Sequence, residues 1–98
     1  MAFNDLDPIL HSQLRLAVVS LLVGVQSAEF TFIKDKTGAT AGNLSVQLNK
    51  LKEAGYIDIE KRFHNNYPQT LCKLTPQGLN AFEKYVEALQ QYIKPKAE

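Results

Sequence analysis

The stretch Thr40–Gly55, TAGNLSVQLNKLKEAG, decides the fold of this 98-residue chain. Three leucines recur at helical spacing along one side of it: Leu44, Leu48 and Leu51. Thr40 is a favourable N-cap, and Gly55 is a favourable residue just beyond a helix end. The stretch therefore predicts a helix over residues 40–54 whose leucine side packs into a hydrophobic core.

The side opposite the leucines is small and rich in amides. It holds Gly42, Asn43, Val46, Asn49, Lys50 and Glu53, with Ser45 and Gln47 on the flanks. Asn and Gln pair with adenine in the major groove of DNA, where short apolar groups meet thymine methyl groups. A solvated helix face has the same composition. Both interpretations stay open on this stretch alone.

Composition sets the class of protein. Hydrophobic residues make up 45% of the chain, which is typical of one globular domain rather than a disordered segment. The single cysteine, Cys72, has no disulfide partner and no metal-ligand spacing, so a small buried strand residue in a reducing cytoplasm is expected. The apolar run within residues 16–25 is too short to span a bilayer. The start MAFNDLD lacks the basic residues of a signal peptide.

Charge is unevenly distributed along the chain, although the net charge is only +1. Seven basic and four acidic residues lie between Lys34 and Lys73, whereas the remainder has four basic and six acidic residues. The middle of the chain is therefore mildly basic. This uneven distribution of charge supports nucleic-acid binding only in combination with a suitable fold.

A first helix is predicted over residues 8–25, because Asp7 and Pro8 form a start signal and apolar residues follow at helical spacing. Ser12 offers a second start. Almost every side of this helix carries an apolar residue, so burial on more than one side is expected. The domain core takes one side, and a second subunit could take another.

A short strand and a second helix are predicted before residue 40. Residues 28–30 are assigned to an extended segment or short strand, and residues 31–37 to a helix that Gly38 ends. Only a three-residue turn, 38–40, then leads into the leucine-bearing helix. Two helices joined in this way form a helix-turn-helix pattern.

The apolar period changes from 3.6 to 2 after residue 55, which predicts a two-stranded hairpin over residues 56–74. Ile57 and Ile59, together with Phe63, fall on one side of its first strand. Residues 64–68 are expected to form the turn, and residues 69–74 the returning strand, with Thr70, Cys72 and Leu74 on one face.

The last predicted helix, residues 76–93, begins at Thr75-Pro76 and is expected to end before Pro95. It carries two neighbouring apolar stripes. One stripe has heptad-like spacing and consists of Leu79, Phe82, Val86, Leu89 and Ile93. The other consists of Ala81, Tyr85, Ala88 and Tyr92. One stripe is predicted to cover the domain core and the other a partner subunit, without a choice between them.

Four short motifs in fixed order carry a resemblance to a known family. They are R-L at 15–16, N-L-S-x-x-L-x-x-L-x-x-A-G-Y-I at 43–57, P-x-T at 68–70, and L-T-x-x-G-x-x-A-F at 74–82. Together they resemble small stand-alone winged helix-turn-helix transcriptional regulators of the MarR/ArsR type. The implied fold class is α+β, mainly helical, with a two-stranded wing and a C-terminal dimerisation helix.

The resemblance implies a bacterial or archaeal homodimer that binds double-stranded DNA through the helix at 40–54. The implied DNA contacts in that helix are Thr40, Gly42, Asn43, Ser45, Val46, Gln47, Asn49 and Lys50. The candidate phosphate contacts are Lys34, Lys36, Lys61, Arg62 and Lys73. The candidate dimer interface is Leu10, Leu14, Phe82, Tyr85, Val86, Leu89, Tyr92 and Ile93.

One departure concerns the hairpin tip, where related sequences usually carry arginines. Here the tip, residues 65–69, reads NNYPQ and has no basic residue. A winged-helix module that binds protein rather than DNA is therefore the alternative function. Neither an enzyme nor a metal sensor is expected, because the sequence has no nucleophile motif, phosphate loop or ligand cluster, and no cofactor is predicted.

Overall fold

Seven elements follow one another in a computed structural model that describes residues 3–94. They are α1 (Gln13–Val25), β1 (Ser27–Glu29), α2 (Phe30–Thr37), α3 (Ala41–Glu53), β2 (Ile57–His64), β3 (Tyr67–Leu74) and α4 (Pro76–Ile93). This order confirms the predicted winged-helix fold class. Pro95 lies outside the described residues, although α4 does end at Ile93.

The first helix begins later than the prediction of residues 8–25. Asp7 caps an isolated turn instead: its Oδ1 accepts from the Ile9 amide at 2.8 Å, and its carbonyl accepts from the His11 amide at 2.8 Å. Ser12 is then extended, with φ −150° and ψ 129°, and α1 starts after it. The predicted start was therefore wrong, and the second start at Ser12 is the one the chain uses.

The sheet has the strand order β1-β3-β2, and both pairings are antiparallel. β1 covers residues 27–29, one residue before the predicted strand, and pairs only with residues 71–73. The rest of β3 therefore has β2 as its sole neighbour in the sheet. Pro68 lies in that outer part, opposite Phe63, where its missing N–H leaves no gap in a central ladder.

The hairpin turn is shorter than predicted. It consists of Asn65 and Asn66 alone, with positive φ values of 52° and 66°. Two successive residues with positive φ match the right-handed twist of the flanking strands, and asparagine tolerates this conformation. Tyr67 and Pro68, expected in the turn, consequently belong to β3.

The leucine side of α3 forms the centre of the core, as predicted. Leu44 and Leu51 are fully buried, and Leu48 nearly so. They belong to one cluster with buried residues of α1 and the sheet, which include Val18, Leu22, Ile57 and Cys72. Phe63 continues the inward side of β2 but lies beyond the core, and it is 78% exposed.

The two apolar stripes of α4 have different surroundings. Tyr85 and Ala88 are buried, so the middle of their stripe faces the protomer's own core, whereas Tyr92 at its end is exposed. Leu79, Val86 and Ile93 of the heptad-like stripe are exposed. Its other members, Phe82 and Leu89, are half-buried and pack against the edge of the core. Leu10 and Tyr85, expected at a subunit interface, are core residues of the protomer. Within residues 3–94, none of the helices has the length and apolar character that crossing a membrane requires.

Candidate nucleic-acid interface

The outward side of α3 is open to solvent. Seven predicted contact residues are exposed: Thr40, Gly42, Asn43, Ser45, Val46, Asn49 and Lys50. The eighth, Gln47, is half-buried. Nothing in the described protomer therefore covers this face, and it combines amide, hydroxyl, short apolar and cationic groups on one helix.

Local capping positions the beginning of this helix. The Thr40 hydroxyl accepts a hydrogen bond from the Asn43 amide at 3.2 Å, as expected of an N-cap. Gly38 ends α2 in the left-handed region, with φ 71°, which lets the chain turn directly into α3. The first-turn N–H groups and the helix dipole favour a negatively charged group, such as a phosphate, at this end.

Arg15 of α1 connects the N-terminal turn to the outward side of α3. Its Nε donates to the Ile9 carbonyl at 2.6 Å, and its Nη1 donates to Gln47 Oε1. Gln47 Nε2 in turn donates to Asn43 Oδ1 at 3.2 Å. Arg15 was not among the site residues predicted from the sequence. A single basic residue within the apolar first helix was the signal that could have pointed to it.

The far end of α3 is held through Tyr56. Its hydroxyl donates to Asp7 Oδ2, and its carbonyl accepts from the Thr75 amide at 3.1 Å. Burial, followed by the hydrogen bond and the charge of Asp7, raises the pKa of Tyr56 to about 12. Since Asp7 also closes the N-terminal turn, one carboxylate links that turn to the end of α3.

This raised pKa predicts a pH dependence of stability. Because the folded-state value lies above the ordinary 10.0, the Tyr56 hydroxyl stabilises the fold fully below pH 10. That contribution is lost as the pH rises from 10 towards 12. Unfolding in urea, measured from pH 9 to 12, should show a steeper loss of stability for the wild type than for Tyr56→Phe. Parallel pH profiles for the two proteins would contradict this assignment.

The predicted phosphate contacts lie on separate elements and not all of them are unpaired. Lys34 and Lys36 lie in the last turn of α2, and Lys36 Nζ is 5.6 Å from the centre of the Phe32 ring. On the wing, Lys73 pairs with Glu60 at 3.3 Å, and Arg62 Nε donates to Gln69 Oε1 at 3.4 Å. Lys61 and Arg62 point to opposite faces of β2, because neighbouring strand residues alternate.

The tip of the wing is apolar and amide-bearing. Phe63 and Tyr67 are 78% and 73% exposed on the strands that flank the Asn65-Asn66 turn. Lys73 lies opposite Asp58, near the core end of the hairpin. Lys61 and Arg62 lie in the half of β2 that is next to the turn. The turn itself therefore has no arginine to contact a phosphate, and Arg62 is the nearest arginine along the chain.

Cys72 is a buried strand residue, as expected. It is fully buried in β3, and desolvation raises the pKa of its thiol to about 11. The thiol is therefore protonated at neutral pH. Nucleophilic or metal-binding chemistry would require the thiolate instead. Among residues 3–94, no three His, Cys, Asp or Glu side chains are grouped as a metal site would need.

The fold and this exposed helix face agree with the comparison to known sequences. Residues 14–93 match the family described as winged helix DNA-binding domain, and the chain belongs to that family. An uncharacterized protein of Methanocaldococcus jannaschii is 34% identical over 86 residues, which cover 88% of this chain and 94% of that protein.

Solved structures give the same result. A transcriptional regulator homologue from Pyrococcus horikoshii OT3 superimposes with a TM-score of 0.82 at 25% identity, over 87% of this chain and 84% of that one. PcaV, a transcriptional regulator from Streptomyces coelicolor solved with its natural ligand, has a TM-score of 0.70 at 18% identity and shares the fold. The alignment covers 88% of this chain and 63% of PcaV. The resemblance to small winged-helix regulators is thereby confirmed.

Proposed function

We propose that this protein is a cytoplasmic, homodimeric transcriptional regulator that binds specific DNA sequences by placing α3 in the major groove. The observation that carries the proposal is the exposed, amide-rich side of α3 in a winged-helix DNA-binding domain. An α-helix fits the major groove, where amides, hydroxyls and short apolar groups distinguish base pairs. The proposed role requires no catalysis and no cofactor.

The heptad-like stripe of α4 supports the dimer. Val86 and Ile93 are 37% and 64% exposed, and half-buried Phe82 and Leu89 complete an apolar strip along the same helix. A 98-residue domain gains burial by covering such a strip with a second copy. Without the two core residues Leu10 and Tyr85, the proposed interface consists of Leu14, Phe82, Val86, Leu89, Tyr92 and Ile93. A two-fold dimer should recognise a pseudo-palindrome with half-sites about one helical turn apart.

Selection of bound duplexes from a random DNA library by the purified protein tests the proposal. Enrichment of a pseudo-palindrome is the expected result, and footprinting should protect both half-sites. A single asymmetric half-site would contradict the dimer, and the absence of any enriched sequence would contradict specific binding.

A specific observation favours a second candidate, a winged-helix module that binds protein. The wing tip is uncharged from residue 65 to 69 and exposes Phe63 and Tyr67, which suits a protein contact. Retention on heparin or on non-specific DNA at low salt separates the two functions. Failure of the protein to be retained would favour the second candidate.

Lys50 provides a test of the phosphate contacts of α3. Replacing Lys50 by alanine should weaken binding to every sequence and lower the slope of log affinity against log salt by about 1, because one fewer counterion is released. Fluorescence anisotropy between 50 and 200 mM salt measures this slope. Lys84→Ala on α4 is the matched control and should leave the slope unchanged. An unaltered slope in Lys50→Ala would remove Lys50 from the interface.

Val86 provides a test of the dimer. Val86→Asp would bury two charges, one per subunit, at a two-fold interface, so we expect dissociation to monomers with a loss of about 2 kcal/mol or more. Sedimentation velocity at micromolar concentration measures the change. Val25→Asp, at the exposed end of α1, is the control and should remain dimeric. A wild-type protein that is monomeric both free and on DNA would contradict the proposed assembly.

A further inference from the structure

The guanidinium group of Arg15 determines which way two amides on α3 are oriented. A guanidinium only donates hydrogen bonds, so the Gln47 atom that it contacts must be the oxygen, Oε1. Gln47 then turns its Nε2 donor towards Asn43, four residues earlier on the same helix face. That donor in turn requires the oxygen of Asn43, Oδ1, at 3.2 Å. One cation thus sets the polarity of both amides.

Arg15 is itself fixed in place. Its Nε donates to the Ile9 carbonyl at 2.6 Å, within the turn that Asp7 closes. Arg15 is also half-buried, and it emerges from α1 between the turn and α3. These two hydrogen bonds distinguish Arg15 from a mobile surface arginine, and they connect the N-terminal turn to the outward side of α3.

The consequence concerns Asn43, the more exposed of the two amides. Its Oδ1 faces Gln47 along the helix, whereas neither N–H of its Nδ2 has an acceptor among residues 3–94. Asn43 therefore presents donors to an approaching DNA base. A bidentate contact with adenine needs both amide atoms against the base, the oxygen accepting from N6 and the nitrogen donating to N7. The bond from Gln47 occupies one lone pair of Oδ1 and directs that oxygen along the helix, so a contact with adenine N6 competes with it, whereas donation from Nδ2 does not.

We propose that Arg15 is a positioning residue that makes Asn43 a hydrogen-bond donor, so that Asn43 reads guanine or thymine rather than adenine. Guanine presents two acceptors in the major groove, N7 and O6, and thymine presents O4. This inference rests on the proposed function, since it concerns the base that α3 meets. It departs from the adenine preference that asparagine and glutamine have in general.

Library selection with four proteins tests the inference. Asn43→Ala identifies the operator position that Asn43 contacts, because the base preference there should relax. The wild type should prefer guanine or thymine at that position. In Gln47→Glu, the carboxylate still accepts from Arg15 but has no N–H to donate to Asn43. Asn43 Oδ1 is then free to accept from adenine, and the base preference should shift towards adenine by about five- to 150-fold. Arg15→Met should remove the preference for acceptors at this position.

Two controls separate positioning from a general loss of binding. Arg15→Lys retains a donor-only group and should retain the preference for guanine or thymine. Lys52→Gln, on the last turn of α3, lowers the charge by the same unit as Gln47→Glu and should weaken binding without a change of base. Thermal unfolding confirms that each variant is folded.

The outcomes are distinct. Adenine at the Asn43-dependent position of the wild type, an unshifted preference in Gln47→Glu, or no relaxed position in Asn43→Ala would each overturn the inference while DNA binding stands. The absence of any selected sequence for the wild type would instead overturn the proposed function.

Discussion

Replacing Asn43 and Asn49 together by alanine should lower the affinity for the selected operator by at least about 30-fold. Both side chains are exposed on the outward side of α3. Each good amide–base pair contributes about 1–3 kcal/mol of discrimination, so two lost pairs correspond to about 2–6 kcal/mol. Fluorescence anisotropy with the labelled operator measures the loss.

The double variant should remain folded, which makes the result interpretable. Neither side chain belongs to the core, and alanine has the highest helix propensity. Asn80→Ala with Gln90→Ala, two exposed amides on α4, is the matched control and should bind the operator as the wild type does. Wild-type affinity in a folded Asn43→Ala/Asn49→Ala protein would rule out α3 as the reading helix.

Replacing Gly78 by alanine should destabilise the fold by about 3 kcal/mol. A Cβ at this position would lie 2.1 Å from the Tyr56 carbonyl oxygen and 3.0 Å from Leu74 Cδ1. The first turn of α4 would have to move away from the beginning of β2. That movement would also disturb Thr75, whose hydroxyl accepts from the Gly78 amide at 2.9 Å and donates to the Gly55 carbonyl at 2.7 Å.

Thermal unfolding followed by circular dichroism measures this effect. For a domain of this size, about 3 kcal/mol corresponds to a decrease of about 12–24 °C in Tm. Gly24→Ala, on α1, is the control, because a Cβ there would lie within 4 Å of nothing beyond its own helix backbone. Alanine there should raise stability by about 0.5–1 kcal/mol, since glycine is unfavourable inside a helix. Equal Tm values for Gly78→Ala and the wild type would show that the close approach is absent.

Elements with local signals at both ends were predicted closely. The helix predicted over residues 40–54 is found at Ala41–Glu53, and the one predicted over residues 76–93 has those bounds in the structure. In both, the hydroxyl of a threonine N-cap accepts from the amide three residues on. Such caps act within one turn of backbone, so residues adjacent in sequence are sufficient to specify them.

The beginning of the chain was predicted less well, because two start signals competed there. Asp7-Pro8 and Ser12 are both acceptable locally. The outcome depends on Tyr56, whose hydroxyl holds Asp7 from 49 residues away, and on Arg15, which holds the Ile9 carbonyl. Contacts that form only in the folded chain therefore decide between the two starts, above all the contact between Asp7 and Tyr56.

The sequence by itself determined the order of elements, the leucine core of α3 and the amide-rich composition of its outward side. These features follow from periodicity and capping, which act over a few residues. Only the tertiary structure decided which stripe of α4 faces the core, that Gly78 meets Tyr56, and that Arg15 orients Gln47 and Asn43. Each of those depends on how two segments distant in sequence approach each other, and no local pattern encodes that distance.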